Sequence, residues 1–350
     1  MSDATSEAKG ADAAFAEAAQ NPSETVGRTE FTFDSADGAS AVRAVVWVPL
    51  AMERAGDDRG ALGQFRPRGV VQLIHGMAEH IDRYDAFARF LASAGYLVAG
   101  HDHIGHGQTA GAAEARGVVD AVRGAQAMID DVQQLRLLMT QQVAEGVSYF
   151  LFGHSMGSLV LRSYLPQYGR GLAGAVICGT ANEPVAVSGA GNKLARLIAR
   201  LRGNDYKSAL LHSLADGAYS RAIKDARTPF DWLSRDPQVA DEFMADETTG
   251  FMFGAGAYAA LTELAHRAAA PATLAATPHA LPLLYIAGDA DPVGKCGKGV
   301  ARAAEAMEAA GAEDVTLKLY PEMRHEILNE YGKEEVYQFI LDWINARNES

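Results

Sequence analysis

The stretch Gly153-His154-Ser155-Met156-Gly157 constrains this chain more than any other. It follows an apolar run at 147–152 and precedes a run with helical spacing at 158–165. A serine between two glycines at a strand-to-helix junction is the pattern of a nucleophile elbow. That turn is so tight that the serine backbone is strained and its hydroxyl is thrust outward. Side chains at positions 153 and 157 are expected to collide with neighbouring backbone. The helix behind Ser155 would aim free N–H groups and the positive end of its dipole at the chemistry. The pattern alone is weak, because glycine and serine are common. The flanking strand and helix, and two later stretches that supply chemical partners, give it weight.

At 350 residues the chain suits one large α/β domain with an insertion better than two independent domains. Its 48% hydrophobic and 21% charged content fit a soluble globular protein. The net charge of -13 argues against nucleic acid as a partner and against electrostatic docking on anionic membranes. Cys178 and Cys296 show neither C-x-x-C nor metal-like spacing, and one pair is no disulfide framework, so both are expected to be reduced. No apolar run approaches the roughly 20 residues of a transmembrane helix. The N-terminal segment lacks the basic start and apolar centre of a signal peptide. The expected address is the cytoplasm, and residues 1–26 are expected to form a disordered tail.

Along the chain, alternation predicts a hairpin at 30–34 and 41–48, followed by a loop at 51–68. Apolar runs predict buried strands at 70–74, 96–100, 147–152, 174–178, 281–287 and 315–319. Helical spacing predicts helices at 82–93, 126–143 and 336–344. Strands alternating with helices mean a parallel sheet with right-handed crossovers. From about 183 to 278 no buried strand is predicted, and the segment reads as helical, with Leu194, Leu197, Ile198 and Leu201 on one face. Such an insertion would sit above the carboxyl ends of the strands, where open α/β sheets bind ligands.

A serine hydroxyl is a poor nucleophile near neutral pH; it needs a base, and the base needs an orienting acid. His325 follows the last predicted strand, and Asp289 and Asp291 follow the strand before it. Residues two apart in an extended segment point the same way, so alternation does not choose between the aspartates. Pro292 biases Asp291 toward an extended backbone, and the position further along the loop reaches more easily toward a neighbouring histidine. The order serine, aspartate, histidine is that of α/β-hydrolases. A tetrahedral intermediate also needs two N–H donors. Met156, directly after the serine, and Met77, in the loop that Gly76 lets turn closely, are the candidates.

Six stretches together resemble the monoglyceride lipase and lysophospholipase branch of the α/β-hydrolases, a serine aminopeptidase-type group of hydrolases. They are His75-Gly76-Met77-Ala78-Glu79-His80 with Arg83-Tyr84; 102–107; 153–157; Trp232-Leu233-Ser234-Arg235-Asp236; Asp291-Pro292-Val293; and His325-Glu326. The resemblance runs from about Thr29 to the C-terminus. It implies an α/β-hydrolase fold: a mostly parallel central sheet with helices on both faces, a core at 27–182 and 279–350, and a helical cap at 183–278. It implies a serine hydrolase that cleaves carboxylic esters, such as monoacylglycerol or lysophospholipid, through an acyl-enzyme on Ser155. It aligns the family's acid with Asp291, and it implies no cofactor. The partner would be a small-molecule or lipid-like ester, with transient membrane contact through the cap.

Other readings compete at several positions. His101, His103 and His106 could suggest a metal, but Gly105 and Gly107 favour a structural loop in which Asp102 bonds backbone N–H groups. No metal site is expected. Glu79 and His80 are expected to hold the oxyanion loop and start a helix rather than act as a second acid–base pair. Phe251 and Phe253 fit an acyl pocket as well as they fit cap core. A proline-type aminopeptidase would need an acidic cluster for a substrate amine, and Asp241, Glu242, Asp246 and Glu247 offer one. A ligand-binding homologue without catalysis is the third class, which an intact Ser155, Asp291 and His325 argue against.

Overall fold

The computed structural model describes residues 26–49 and 66–348. Residues 1–25 of the expected tail and most of the expected loop at 51–68 lie outside the described residues. The first two strands, β1 (Val26–Asp34) and β2 (Ala41–Pro49), form the predicted hairpin. Its turn is held by the Asp37 carboxylate, which accepts from the Ala39 and Ser40 amides at 2.7 and 2.8 Å. The hairpin is longer than its alternation suggests. Val26 pairs with Pro49, so residue 26 belongs to a strand and not to the tail.

Six more strands complete the sheet: β3 (Val70–Ile74), β4 (Leu97–His101), β5 (Tyr149–His154), β6 (Gly174–Cys178), β7 (Leu283–Gly288) and β8 (Val315–Tyr320). The eight strands lie in the order β1-β2-β4-β3-β5-β6-β7-β8. The β1–β2 and β2–β4 pairs are antiparallel, and every other pair is parallel. Every residue of β3 to β7 is buried, because helices cover both faces. Strands buried on both faces need no polar alternation and read as continuous apolar runs.

Before the insertion come α1 (Asp85–Ser93), α2 (Gly124–Gln142) and α3 (Met156–Tyr168). Between β6 and β7 the described residues hold no strand. They hold α4 (Val185–Arg202), α5 (Ala209–Leu214), α6 (Pro237–Ala245), α7 (Ala255–Ala269) and α8 (Pro271–Ala276). The chain closes with α9 (Lys298–Ala309) and α10 (Lys333–Asn348). Alternate residues of β5 serve opposite cores. Tyr149 and Leu151 pack with Met128 and Val132 of α2 and Leu161 of α3. Phe150 and Phe152 pack with Phe87 and Leu91 of α1 and Val336 and Ile340 of α10. Each such side chain contributes about 1.5–3 kcal/mol by leaving water.

One helix departs from its predicted orientation. On α4 the buried positions are Ser188, Asn192, Ala195 and Ala199, which pack against α7. Leu194 and Ile198 are half-buried, while Leu197 is 53% and Leu201 70% exposed. The physical reason is close approach. Gly189 and Gly191 abut His266 and Thr262 of α7, and Asn192 donates to the Ala259 carbonyl at 2.8 Å. Small residues admit the neighbouring backbone and leave the larger leucines outside.

The parallel strands all end at one edge of the sheet. Ile74 pairs with Gly153, which sets the loop after β3 beside the Ser155 turn. Gly288 pairs with Tyr320, which sets the aspartate loop beside the loop that carries His325. The residues singled out by the sequence therefore converge from four strand ends.

Candidate active site

Ser155 has φ 53° and ψ −119°, a conformation that L-residues other than glycine rarely adopt. Such strain costs on the order of 1–3 kcal/mol and persists only where the surroundings hold it. Here the Ser155 amide donates to the Cys178 carbonyl at 3.0 Å, tying the turn to β6. A Cβ at Gly157 would overlap the Ile74 and His75 carbonyls, and one at Gly153 would overlap the Gly157 carbonyl. The turn is therefore pressed against β3, and helix α3 starts at Met156 immediately behind the serine. The Ser158 amide closes the turn onto the Ser155 carbonyl at 3.0 Å.

His325 is 2% exposed and Asp291 is fully buried. His325 Nδ1 lies 3.0 Å from Asp291 Oδ2. The other oxygen, Asp291 Oδ1, accepts the Val293 amide at 2.9 Å. A carboxylate only accepts, so the imidazole carries its proton on Nδ1 and leaves Nε2 with a lone pair. The Trp232 ring sits 5.0 Å from the His325 ring, and the His154 ring sits 4.7 Å from it. Asp289 is elsewhere: its Oδ1 accepts the Glu322 amide at 2.7 Å.

Beneath the two loops lies a buried ionic clamp. Arg83 NH1 donates to Glu79 at 2.7 Å and to Glu326 at 2.6 Å, and its NH2 donates to Glu326 at 2.7 Å. Glu79 Oε1 accepts the Gly76 amide at 2.5 Å and the Tyr84 hydroxyl at 2.8 Å. One guanidinium thus joins the Met77 loop to the residue directly after His325. Burial disfavours charge at Glu79 and Glu326, but His154 and Arg83 outweigh it, Arg83 dominating at Glu326, and both carboxyls lie below their ordinary range. Burial also opposes the imidazolium of His154, yet Glu79 beside it raises its pKa above the usual histidine value. His154 carries no expected role from the sequence. It reaches Tyr84 with Nδ1 at 2.9 Å and the His325 carbonyl with Nε2 at 3.3 Å.

A cavity of about 340 Å³ is lined by Ser155, His325, Met77, Met156, Trp232 and Phe251, among others. Among the described residues, neither the Met77 nor the Met156 amide donates to a backbone carbonyl. Phe253, paired with Phe251 in the sequence reading, does not line the cavity. It is 1% exposed and packs against His106 and Tyr258. The inserted segment reaches the Met77 loop directly: the Gly250 amide donates to the Ala78 carbonyl at 2.9 Å, and His80 Nε2 lies 2.8 Å from Asp246 Oδ2. Three members of the acidic cluster are committed elsewhere. Asp241 pairs with Arg227 at 2.7 Å, Glu242 accepts from Gln238 at 2.7 Å, and Asp246 bonds His80 and Thr248. None of these three lines the cavity.

Four histidines lie buried behind the Met77 loop. The His75 and His103 rings are 4.4 Å apart, His101 and His103 5.0 Å, and His75 and His106 5.3 Å. Among the described residues no group of three ligating side chains is placed to hold a metal ion. Asp102 accepts the Ile81 and Gln108 amides at 2.9 Å each and bonds Arg43 at 3.1 Å. Burial pushes His101 and His106 down to about 4, and His75 and His103 well below the ordinary value. The unfolded chain takes up these protons below about pH 6.5 while the folded chain resists them. The stabilisation is therefore complete above pH 6.5 and is lost as pH falls through 4. Asp131, pushed up to about 7 by burial, and His154 act in the opposite sense. A single-site comparison isolates one histidine. His101→Phe is expected to flatten unfolding free energy against pH between 6 and 4 by about 1.4 kcal/mol per unit, read by chemical denaturation. An unchanged slope would remove His101 from this account.

Residues 66–332 match the family described as serine aminopeptidase, S33. Monoacylglycerol lipase of Mycolicibacterium smegmatis is 29% identical over 281 residues, which cover 79% of this chain and 88% of that protein. Human monoglyceride lipase is 37% identical over 94 residues, 27% of this chain and 29% of that protein. A thermostable carboxyl esterase from Bacillus coagulans superposes with a TM-score of 0.81 at 30% identity, over 92% of this chain and 99% of the esterase. The chain therefore belongs to the serine aminopeptidase S33 family, within the monoglyceride lipase-like branch of the α/β-hydrolases.

Proposed function

We propose that this chain is a serine hydrolase of carboxylic esters that carry a single acyl chain, such as monoacylglycerols or lysophospholipids. The observation that carries the reading is the His325–Asp291 bond in the wall of the cavity that holds the strained Ser155. Asp291 keeps the His325 proton on Nδ1, so Nε2 can take the proton of the Ser155 hydroxyl. The serine oxygen then bonds to the ester carbonyl carbon, and the Met77 and Met156 amides hold the resulting oxyanion. Collapse breaks the ester bond, and His325 returns its proton to the leaving alcohol. Water repeats the sequence on the acyl-enzyme, freeing the acid and restoring Ser155.

Residues 183–278 act in this reading as a cap over a core formed by 27–182 and 279–350. A cavity of about 340 Å³ is at the small end of ligand pockets, which favours one acyl chain over several. The carboxylates in its wall, Glu79 and Glu326, are both already engaged by Arg83, so neither stands unpartnered for a substrate amine. That disfavours the aminopeptidase alternative. We place the protein in the cytoplasm, in keeping with its free Cys178 and Cys296.

The test is a panel of nitrophenyl esters from acetate to palmitate, beside a monoacylglycerol, a lysophospholipid and a proline anilide. Turnover of the single-acyl lipids with an inert anilide is expected; preference for the anilide would reverse the reading. Within the panel, Phe251→Ala is expected to shift chain-length preference more than it lowers acetate hydrolysis. Phe253→Ala is expected to cost about 3–5 kcal/mol of stability instead. An unchanged chain-length profile for Phe251→Ala would make that residue cap core only.

A further inference from the structure

His154 is buried among three loops of the site, and its protons can be counted from its partners. It immediately precedes Ser155 and is 5% exposed. Its Nε2 lies 3.3 Å from the His325 carbonyl, which only accepts, so Nε2 carries a proton. Its Nδ1 lies 2.9 Å from the Tyr84 hydroxyl and 3.5 Å from Glu79 Oε1. The Tyr84 hydroxyl has one proton and donates it to Glu79 Oε1 at 2.8 Å. Toward Nδ1 the phenol oxygen therefore offers only lone pairs, and Nδ1 carries a proton as well. A ring protonated at both nitrogens is an imidazolium.

Two neutral arrangements compete, and the geometry disfavours both. If Tyr84 turned its proton to Nδ1, its lone pairs would face Glu79 Oε1 across 2.8 Å. If the proton sat on Glu79 instead, it would work against two donors that favour the carboxylate. The Gly76 amide donates to Oε1 at 2.5 Å and Arg83 donates to Oε2 at 2.7 Å. Histidine also binds a proton about two pH units more tightly than glutamate before any burial. The surroundings balance the charge. Glu79, Arg83 and Tyr84 face His154 from the segment after β3, and Cys178 lies beside it on β6. His325 and Glu326 face it from the loop after β8, with Asp291 behind His325, and Tyr337 faces it from α10. Burial pushes the Tyr84 phenol and the Cys178 thiol well above their ordinary values, so both stay neutral. Within the clamp, Glu79 and Glu326 are then matched by Arg83 and His154.

We propose that His154 is held as an imidazolium and that this charge makes it a positioning residue, tying the Ser155 turn to the Met77 loop and to the His325 backbone. The residue before the serine thereby grips Glu79 and Tyr84 with one N–H and the His325 carbonyl with the other. Loss of the Nδ1 proton would leave a nitrogen lone pair facing the Glu79 carboxylate, and the grip on the Met77 loop would go with it. Because His154 binds its proton more tightly in the folded chain, the alignment holds at lower pH and is lost as pH rises through its titration. The kinetic consequence rests on the ester-hydrolase reading; the charge itself is tested without it.

Nitrogen NMR of the full chain with labelled histidines reads the charge directly. At about pH 7.5, roughly one unit above the ordinary histidine value, one ring should show two protonated nitrogens, and His154→Asn should remove that signal. If the asparagine variant does not fold, Tyr84→Phe should shift the same signal and leave both nitrogens protonated, because Glu79 still faces Nδ1. On nitrophenyl acetate, kcat of the parent should fall along an alkaline limb that tracks this titration, with KM little changed. His154→Asn should lower kcat by roughly tenfold to hundredfold and lose that limb. Glu79→Gln leaves the His154 charge without its carboxylate, whereas Glu79→Gln with His154→Asn removes both charges. The double variant should be no slower than the slower single one. A His154 ring with one protonated nitrogen at about pH 7.5 would overturn the proposal. So would parental kcat in His154→Asn, or losses that multiply in the double variant. An imidazolium at His154 in a folded chain that hydrolyses no ester would remove the proposed function and leave the charge assignment standing.

Discussion

Ser155→Ala is expected to fold like the parent and to lose roughly 10⁴-fold or more in kcat on any ester the parent cleaves. The fold should survive because alanine meets the same backbone demand as serine at φ 53°, and the amide bond to Cys178 does not involve the side chain. The strain is held by Gly153 and Gly157 against adjacent carbonyls, and these are untouched. What disappears is the oxygen that would become acylated. The remaining pocket can still bind and polarise an ester, which is why some residual rate is expected. Retention of about a tenth of parental activity would mean that hydrolysis does not pass through this residue.

Asp291→Asn should be as damaging, for a reason visible in its two hydrogen bonds. Oδ1 accepts the Val293 amide at 2.9 Å, and that demand fixes where an asparagine oxygen must sit. The asparagine NH₂ would then face His325 Nδ1, now 3.0 Å from Oδ2. Two donors cannot share that bond, so the imidazole would shift its proton to Nε2 and could no longer accept one from Ser155. A loss of roughly 10⁴-fold in kcat is expected. Asp289→Asn keeps an amide oxygen for the Glu322 amide and should change stability by about 1 kcal/mol at most, with kcat near parental. A dead Asp289 variant beside an active Asp291 variant would exchange their roles.

What was legible in the sequence followed from burial on both faces of the sheet. The runs at 70–74 and 174–178 read as strands and are strands with those bounds, because central strands admit few polar residues. Helix α9 was not anticipated: its buried positions are Gly299, Val300, Ala303, Ala304 and Met307, too small on average to mark a face. Periodicity placed Leu194, Leu197, Ile198 and Leu201 together on α4 but could not say that alanines would take the interior. Phe251 and Phe253 are two apart and look equivalent, yet one lines the cavity and the other is core. The Arg83–Glu326 clamp spans 243 positions, and no local pattern announces such a pair. Both residues stand in stretches that the resemblance had marked, which is the one signal that pointed to them.

The central claim is that Ser155 is an activated nucleophile. Labelling with a fluorophosphonate, followed by peptide mapping, tests it without any choice of substrate, because only an activated serine reacts. The account predicts one modified residue, Ser155, with labelling abolished in Ser155→Ala and strongly slowed in His325→Ala. A folded parent chain that stays unlabelled, or a label on another serine, would contradict it.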